Sequence, residues 1–350
     1  MNEAKTIKKK MTEDHLIAIF NPIKDKFDVI DDNYNHNKRR LKDDSVKGSN
    51  SKQKRHTGAP NSTPPLNHQK PSKIPLERIS DKSKPRHPLS SKDEERQKIA
   101  EANHEFVRKN KRLISKNIRT YHDRDHETIK KQLKPIKNRF QHIFVNDFSS
   151  IQTAIDLHHR QYKHIYLLNF ADSLKPGGGY LNGRGAQEES LCRQTLLYPT
   201  IRDNQIYEEN KRYGRKGSNN MIYSADVLVI RDNSYKLINE NERFTVDIIS
   251  SAAVDNRERI PDAESLMEDR IRKIVMLAAL ESTRENDGGK NALVLGAFGC
   301  GVFNNDPNVI ANIFAKILHG ENLKQYFNCI VFPIYKDHSN LIQIFKKALL

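Results

Sequence analysis

The sequence lacks the features that secreted and membrane proteins need. Its 350 residues include three cysteines, an odd number with no C-x-x-C pair, so neither a disulfide framework nor a cysteine zinc site is predicted. No apolar run approaches the roughly 18–20 residues that span a bilayer. The N-terminus lacks the apolar core of a secretory signal. We therefore expect an intracellular protein, nuclear or cytoplasmic, without membrane contact.

Apolar residues are also scarce, at 36% of the chain, which favours one folded domain beside a segment that does not fold. Residues 1–92 are rich in Lys, Asn, Ser and Pro and have little apolar periodicity, so we predict that they are disordered. The apolar segment at 16–20 is an exception. It could form a short helix against a partner or rest on the folded domain.

Positive charge is concentrated in the same N-terminal region. The formal net charge is +16, and residues 1–92 hold 21 Lys and Arg against 11 Asp and Glu. Such an excess favours partners with phosphate backbones, although it does not specify a base sequence. The basic runs at 8–10 and 38–40 are compatible with nuclear import, with nucleic-acid or chromatin contact, or with a solvated linker.

The pattern changes near Ser91, where residues 91–94 predict a helix cap followed by apolar residues at helical spacing. Short β-prone runs then alternate with helical patterns. The predicted strands are 142–145, 165–168, 227–230, 244–249, 293–295 and 329–332, and the clearest helices are about 264–282 and 307–319, the latter opened by Asp306 and Pro307. Strands that alternate with helices predict an α/β domain whose sheet is covered on both faces, over residues 93–350 with an N-terminal helical extension.

Two loops that follow predicted strands are dense in glycine. The first contains five glycines in nine residues, at 177, 178, 179, 183 and 185, and the second is residues 296–303. Backbone amides in such loops can cradle a diphosphate, but glycine is also the ordinary residue of a strand-to-helix turn. Neither loop has the P-loop string or G-x-G-x-x-G, which argues against nucleoside triphosphate hydrolysis and hydride transfer.

The paired carboxylates Glu188 and Glu189 follow the first loop and begin a helical pattern. Acidic residues in a first helical turn ordinarily stabilise the helix dipole. Their place behind a loop open to a sugar phosphate also suits acid/base chemistry, because mutual repulsion would raise the pKa of one of them. A carboxyl with a raised pKa can protonate a leaving oxygen and then activate water.

At these residues the sequence resembles the microbial-type poly(ADP-ribose) glycohydrolases, whose catalytic domains carry three glycines and then Gln-Glu-Glu. Here these are Gly177, Gly178 and Gly179, followed after seven residues by Gln187, Glu188 and Glu189. Further similar segments follow in the same order, and the resemblance covers about 93–350. They are 169–171, 190–193, 221–227, 296–303 and 304–307.

The resemblance implies a three-layer α/β/α macrodomain with a mixed central sheet that hydrolyses the ribose–ribose O-glycosidic bond of poly(ADP-ribose) without a metal or other cofactor. It implies that Glu189 is the acid/base and that Glu188 holds the adjacent ribose. Phe303 would pack on the ligand, although a core aromatic is an equal reading. The substrate-binding residues that it implies are Asn169, Ala171, Gly177, Gly178, Gly179, Gln187, Asn256, Gly299, Cys300, Gly301, Val302 and Phe303.

The sequence departs from the family at 247–256, where the family often has Ala-Pro-Asn, so only Asn256 of that loop is assigned to binding. Cys300 is expected to be a small neutral residue, because no histidine is placed to act as its base. The histidine pairs 158–159 and 122 with 126 lack a third ligand, so no metal is predicted. Hydrolysis of single ADP-ribosyl groups on protein or nucleic acid, and ADP-ribose binding without cleavage, stay open. We expect a monomer that acts on poly(ADP-ribose) or on ADP-ribosylated macromolecules.

Overall fold

The computed structural model describes residues 90–284, 287–335 and 340–350. The predicted disorder of residues 1–92 therefore falls almost entirely outside the described residues. The apolar segment at 16–20 and the basic runs at 8–10 and 38–40 also lie outside them. In the part of the chain that is described, no helix is long and apolar enough to cross a membrane.

The folded region alternates helices with strands from its first residues onward. The helices are α1 (Ser91–Lys109), α2 (His126–Gln132), α3 (Ser150–His159), α4 (Gln187–Gln194), α5 (Tyr198–Ile201), α6 (Ile206–Asn210), α7 (Ala263–Arg284), α8 (Pro307–Ala315) and α9 (Leu341–Leu349). The strands are β1 (Ile118–Tyr121), β2 (His142–Asn146), β3 (Tyr162–Phe170), β4 (Met221–Leu228), β5 (Thr245–Ser251), β6 (Lys290–Val294) and β7 (Cys329–Pro333).

The strands form one mixed sheet in the order β1-β4-β5-β3-β6-β7-β2. Strands β5, β3, β6, β7 and β2 run parallel to one another, whereas β4 is antiparallel to both β5 and β1. The parallel strands end at the same edge, so the loops after β3, β5 and β6 lie side by side. Open α/β sheets bind their ligands at this edge.

Alternate residues of the central strands face opposite layers, as the strand period of two requires. Tyr166 and Leu168 of β3 pack in a hydrophobic cluster with α7, α8 and α9. Ile165 and Leu167 pack in a second cluster with residues of α1, α3 and α4. Helices therefore cover both faces, and the predicted three-layer α/β fold with a mixed sheet is confirmed.

The structure corrects several predicted bounds. Helix α1 begins at Ser91, inside the region predicted to be disordered, and its N-cap is Ser90, whose hydroxyl accepts the N–H of Asp93 at 3.2 Å. The predicted strand at 227–230 overlaps only the last two residues of a strand that runs from Met221 to Leu228. The cap at Asp306 is confirmed, since its side chain accepts the N–H of Asn308 at 2.8 Å.

Helix α1 also lies against the first glycine-rich loop, residues 171–186, which we call the glycine loop. A Cβ atom on Gly183 would lie 2.0 Å from the carbonyl oxygen of Asp93, so only glycine allows this approach. Further along α1, the amide of Asn103 donates to the carbonyl of Arg193 in α4 at 2.7 Å. The predicted helical extension is therefore packed against the elements that carry the paired glutamates.

Candidate active site

Three loops meet at the carboxyl edge of the sheet. They are the glycine loop after β3, the β5 loop (residues 252–262) and the second glycine loop after β6 (residues 295–306). Helix α4 begins directly after the glycine loop and brings Glu188 and Glu189 back to the end of β3. Both carboxylates are buried, at 3% and 8% exposure.

Glu188 is held by three donors from the end of β3 and the glycine loop. Its Oε1 accepts from the Asn169 amide and the Gly177 N–H, both at 3.2 Å, and its Oε2 accepts from the Asp172 N–H at 2.7 Å. Burial raises the pKa of Glu188 to about 8, because a charged carboxylate loses its water shell there. The charge of Glu189 also raises this pKa, but by less than burial does. Desolvation thus exceeds the mutual repulsion that the sequence suggested as the cause.

Glu189 has one occupied oxygen and one unoccupied oxygen. Its Oε1 accepts the Gly179 N–H at 2.9 Å. Its Oε2 is buried and has no hydrogen-bond partner among the residues that the structure describes. A buried acceptor without a partner lowers the stability of the folded protein by about 1–3 kcal/mol, so such atoms are uncommon where a residue has only a structural role. Glu189 therefore presents one oxygen that is free to meet a ligand.

Gly178 lies against both carboxylates. A Cβ atom there would be 2.7 Å from Glu189 Oε1 and 3.2 Å from Glu188 Oε2. Its φ of +55° is also in the region that side chains disfavour. The middle glycine of the triplet is required both by its backbone conformation and by the space that it leaves beside the glutamates.

Gln187 and Asn169 use most of their polar side-chain atoms in hydrogen bonds within the protein. The Gln187 amide donates to the carbonyl of Leu168 at 2.8 Å and to the Ser150 hydroxyl at 3.1 Å, and its oxygen accepts the Phe170 N–H at 2.9 Å. These bonds fasten the start of α4 to the end of β3. They position the glutamates, and the prediction that Gln187 also binds substrate stays a prediction.

Asn169 donates to Glu188 and to the Ser250 hydroxyl at 3.0 Å, and its own oxygen is buried without a partner in the described part of the chain. Ala171 is buried at the turn out of β3, and its N–H donates to the carbonyls of Asn169 and Ser251 at 2.9 and 3.0 Å. Both residues lie at the glutamates, and Ala171 has no N–H left for a ligand.

The second glycine loop is closed by Asn305, whose amide donates to the carbonyls of Gly299 and Val254 at 3.1 and 2.8 Å. Gly301 has open space around the position of a Cβ, and Val302 is 60% exposed. This part of the loop is available to a ligand, and it leads directly into the N-terminus of α8.

Cys300 and Phe303 are the more enclosed members of that loop. Burial raises the pKa of the Cys300 thiol to about 12, so the thiol is neutral at physiological pH. Phe303 is half-buried and packs against the cluster formed with α7, α8 and α9. Its position is compatible with both readings made from the sequence.

Asn256 joins the β5 loop to the second glycine loop. Its N–H donates to the carbonyl of Phe303 at 2.8 Å, and its side-chain oxygen accepts the N–H of Ile260 at 2.8 Å. The side-chain oxygen is thus engaged within its own loop. The structure places Asn256 beside the site as a link between loops.

Sequence reasoning missed four contributors to this site. The Asp172 N–H and the Ser250 hydroxyl hold Glu188 and Asn169, and Arg193 is a fully buried residue of α4. Tyr207 of α6 carries a buried hydroxyl with no partner in the described residues, and the charge of Glu188 raises its pKa, although less than burial does. The serines 250 and 251 end a buried strand and Arg193 lies in the family-like segment 190–193, but neither pattern indicated a role at the site.

Within residues 90–284, 287–335 and 340–350, no group of three or more His, Cys, Asp or Glu side chains could hold a metal ion. The polar groups that the site presents are carboxylates, side-chain amides and backbone N–H groups. Its chemical capacity is proton transfer at a buried carboxylate pair beside two loops rich in backbone N–H groups.

The raised pKa of Glu188 predicts a pH-dependent stability. An unfolded glutamate loses its proton near pH 4.5, whereas folded Glu188 keeps it to about pH 8. The folded protein binds more protons between these values, so this stabilisation is complete below about pH 4.5 and is lost as the pH rises through about 8. We expect the Tm of the wild type, relative to that of Glu188→Gln, to fall by several degrees between about pH 5 and about pH 9. Thermal denaturation that gives parallel curves for the two proteins would contradict this assignment.

The chain is similar to known proteins in the region that contains the glycine loop and the paired glutamates. Residues 88–232 match the model of the catalytic domain of microbial-type PARG. No curated protein matches the chain. The chain is similar to the solved structure of poly(ADP-ribose) glycohydrolase (PARG) from Thermomonospora curvata, with 26% identity and a TM-score of 0.66 over 73% of this chain and 100% of that chain.

It is also similar to PARG from Deinococcus radiodurans in complex with ADP-ribose, with 28% identity and a TM-score of 0.59 over 67% of this chain and 95% of that chain. The T. curvata enzyme bound to the inhibitor ADP-HPD matches with 26% identity and a TM-score of 0.61 over 73% and 99% of the two chains. The family resemblance inferred from the sequence is confirmed.

Proposed function

We propose that this chain, whose residues 88–232 match the catalytic domain of microbial-type PARG, hydrolyses the ribose–ribose O-glycosidic bonds of poly(ADP-ribose) and releases ADP-ribose. The observation that carries this proposal is the asymmetry of the paired glutamates. Both oxygens of Glu188 are occupied by donors from the protein, whereas Oε2 of Glu189 is buried and has no partner among the described residues. Glycosidic cleavage needs one such oxygen to exchange a proton with the leaving group and with water.

In the proposed mechanism Glu189 protonates the 2′-oxygen that leaves, which promotes an oxocarbenium-like ribose, and then takes a proton from the attacking water. Glu188 holds the adjacent ribose through its hydroxyls. Because burial raises the pKa of Glu188 to about 8, Glu188 itself keeps a proton at neutral pH. The reaction as proposed needs neither a metal nor another cofactor.

The two glycine-rich loops supply the proposed binding surface. Gly177 and Gly179 use their N–H groups to hold the glutamates, and Gly178 allows the distal ribose and diphosphate to approach them. The open part of the second glycine loop would receive the diphosphate on its backbone amides, with Phe303 packed on the ligand. Asn169, Ala171, Gln187 and Asn256 are proposed to line the substrate-binding site, and their hydrogen bonds also orient these loops.

Release of ADP-ribose from poly(ADP-ribose) tests the proposal directly. The protein is incubated with automodified polymerase, and free ADP-ribose is followed by chromatography over time. We expect ADP-ribose as the product, with release proportional to the amount of enzyme. No release, with ADP-ribose nevertheless bound in calorimetry, would replace the proposal by a protein that reads ADP-ribose without cutting it.

Two alternatives are separated by the same assay. A hydrolase of single ADP-ribosyl groups would use the same glutamates, so it is distinguished by a substrate that carries one ADP-ribose per acceptor protein or nucleic acid. A reader without activity would have little need for two adjacent buried carboxylates beside an anionic ligand, since burying a charge without a partner is costly. Burial raises the pKa of Glu188, and Oε2 of Glu189 has no partner among the described residues. Both observations reflect this cost and favour an enzyme.

The remaining proposals concern the chain outside this site. We propose that residues 1–92 form a basic segment that directs the enzyme to nucleic acid or chromatin, with residues 93–350 as the catalytic unit. We further propose an intracellular monomer, in the nucleus or the cytoplasm. Binding of the full chain to duplex DNA that weakens as salt rises, and is lost without residues 1–89, would support the role of the segment.

A further inference from the structure

Two arginines of the described chain are almost completely buried, and they are used in different ways. Arg270 of α7 is 1% exposed and donates from all three nitrogens, to Asn219 at 3.1 Å, to the Ala252 carbonyl at 2.7 Å and to the Lys216 carbonyl at 2.9 Å. Arg193 of α4 is 0% exposed, and within the described residues its Nε and Nη1 have no partner.

A buried guanidinium without a carboxylate is costly, because it leaves water and gains no opposite charge. No ion pair of Arg193 occurs among the described residues. Its only compensations there are one hydrogen bond from Nη2 and the ring of Tyr235, whose centroid is 5.6 Å from the guanidinium carbon. The contacts of Arg193 therefore offset little of the free energy that its burial costs. This imbalance indicates that Arg193 has a role other than stability.

The one side-chain hydrogen bond that Arg193 makes within the described residues leads back to Glu189. Nη2 donates to the carbonyl of Arg184 at the end of the glycine loop. The N–H of Arg184 donates to the carbonyl of Gly179 at 3.1 Å, and the N–H of Gly179 donates to Glu189 Oε1 at 2.9 Å. Glu189 and Arg193 are four residues apart, on one face of α4. The bonds thus form a closed circuit that leaves α4 at Arg193 and returns to it at Glu189.

The far side of Arg193 is fixed as well. The Asn103 amide of α1 donates to the Arg193 carbonyl, and the oxygen of that amide accepts Arg231 Nε at 2.9 Å. The carbonyl of Tyr235 accepts Arg231 Nη1 at 2.9 Å. These bonds hold α4 against α1. The backbone of Arg193, and with it the base of its side chain, is therefore fixed in position.

We propose that Arg193 is a positioning residue for Glu189, which sets the glycine loop so that the Gly179 N–H fixes Oε1 and leaves Oε2 toward the scissile bond. The inference rests on the proposed glycohydrolase function for its kinetic consequence. Its structural consequence, an immobilised Gly179 N–H, does not depend on that function. A displacement of about 1 Å in a catalytic group can cost about 100-fold in rate.

Replacement of Arg193 by methionine separates the two roles. Methionine fills much of the volume and removes the unpaired charge, and the exposed Arg184 can turn its carbonyl to water. We expect Arg193→Met to keep the Tm within about two degrees of the wild type, or to raise it. We expect kcat on poly(ADP-ribose) to fall by about 10- to 100-fold, with KM and the affinity for ADP-ribose changed less than about threefold. Arg193→Lys, which keeps a donor, should recover part of kcat.

Arg270→Met is the matched control. It removes the same side chain from an equally buried position, but it breaks three hydrogen bonds, so we expect a clear loss of Tm. Wild-type kcat in Arg193→Met would overturn the inference, and so would a loss of Tm in Arg193→Met as large as that in Arg270→Met.

Amide hydrogen exchange keeps this inference distinguishable from the proposed function. We expect the N–H of Gly179 to exchange at least tenfold faster in Arg193→Met, while the amides of β3 stay protected. If the wild type released no ADP-ribose, the proposed function would fail, and faster exchange at Gly179 would still support the positioning circuit. Unchanged exchange at Gly179 would overturn the circuit whatever the activity.

Discussion

Glu189→Gln is expected to lower kcat on poly(ADP-ribose) by about 1,000-fold, within the roughly 100- to 10,000-fold that general acid/base catalysis contributes. Glutamine retains an oxygen that can accept the Gly179 N–H, so the geometry of the loop should be kept. It cannot release or take up the proton that Oε2 is proposed to carry. The affinity for ADP-ribose, measured by calorimetry, should change less than about threefold.

A second first-turn glutamate provides the control for this variant. Glu264 lies in the first turn of α7 and is exposed, so Glu264→Gln also removes a favourable interaction with a helix dipole, worth about 0.3–1 kcal/mol. We expect a similar small change in Tm from that loss and unchanged kcat for Glu264→Gln. Retention of wild-type kcat in Glu189→Gln would return Glu189 to the role of a helix-stabilising residue and end its assignment as the acid/base.

Gly178→Ala is expected to have the second largest effect, a loss of about 100-fold in kcat. The new methyl group would lie 2.7 Å from Glu189 Oε1 and must push the carboxylate or the loop aside. The φ of +55° adds backbone strain of about 1–2 kcal/mol. Both kcat and Tm should fall, as followed by ADP-ribose release and by thermal denaturation.

Gly214→Ala separates the collision from the strain. Gly214 has a φ of +56°, nearly that of Gly178, but no atom of the residues that the structure describes lies within 4 Å of the position of its Cβ. This variant should lose a comparable amount of stability from its backbone and keep its kcat. Equal losses of kcat in both variants would show that strain alone, rather than contact with the glutamates, accounts for the result.

The parts of the site that are close in sequence were predictable. The glycine triplet, the gap of seven residues and the glutamates lie on one strand–loop–helix unit, and their proximity follows from local chain geometry. The register of β3 with β5 was not predictable, and neither was the pairing of Asn169 with Ser250, since these residues are 81 positions apart. The contact between Asn103 and Arg193 spans 90 positions and left no periodic signal.

The predicted bounds of helices and strands were wrong where the local sequence allowed more than one start or end. Both Ser90 and Ser91 can cap a helix, and only the bond from the Asp93 N–H selects Ser90. Strand β1 has four half-buried residues, so it lacks the alternation by which a strand is recognised. The assignment of the raised pKa to Glu188 also needed the fold, because burial depends on neighbours that are distant in sequence.

The half-buried thiol of Cys300 in the second glycine loop has a consequence for chemical probes. Burial raises the pKa of the Cys300 thiol to about 12, so the thiol is neutral at pH 7. Nucleophilic attack on electrophilic warheads and oxidation by peroxide both proceed through the thiolate. A cysteine that borders the proposed diphosphate position is therefore a poor anchor for covalent inhibitors, and compounds directed at this pocket have to gain their affinity from reversible contacts with the loops.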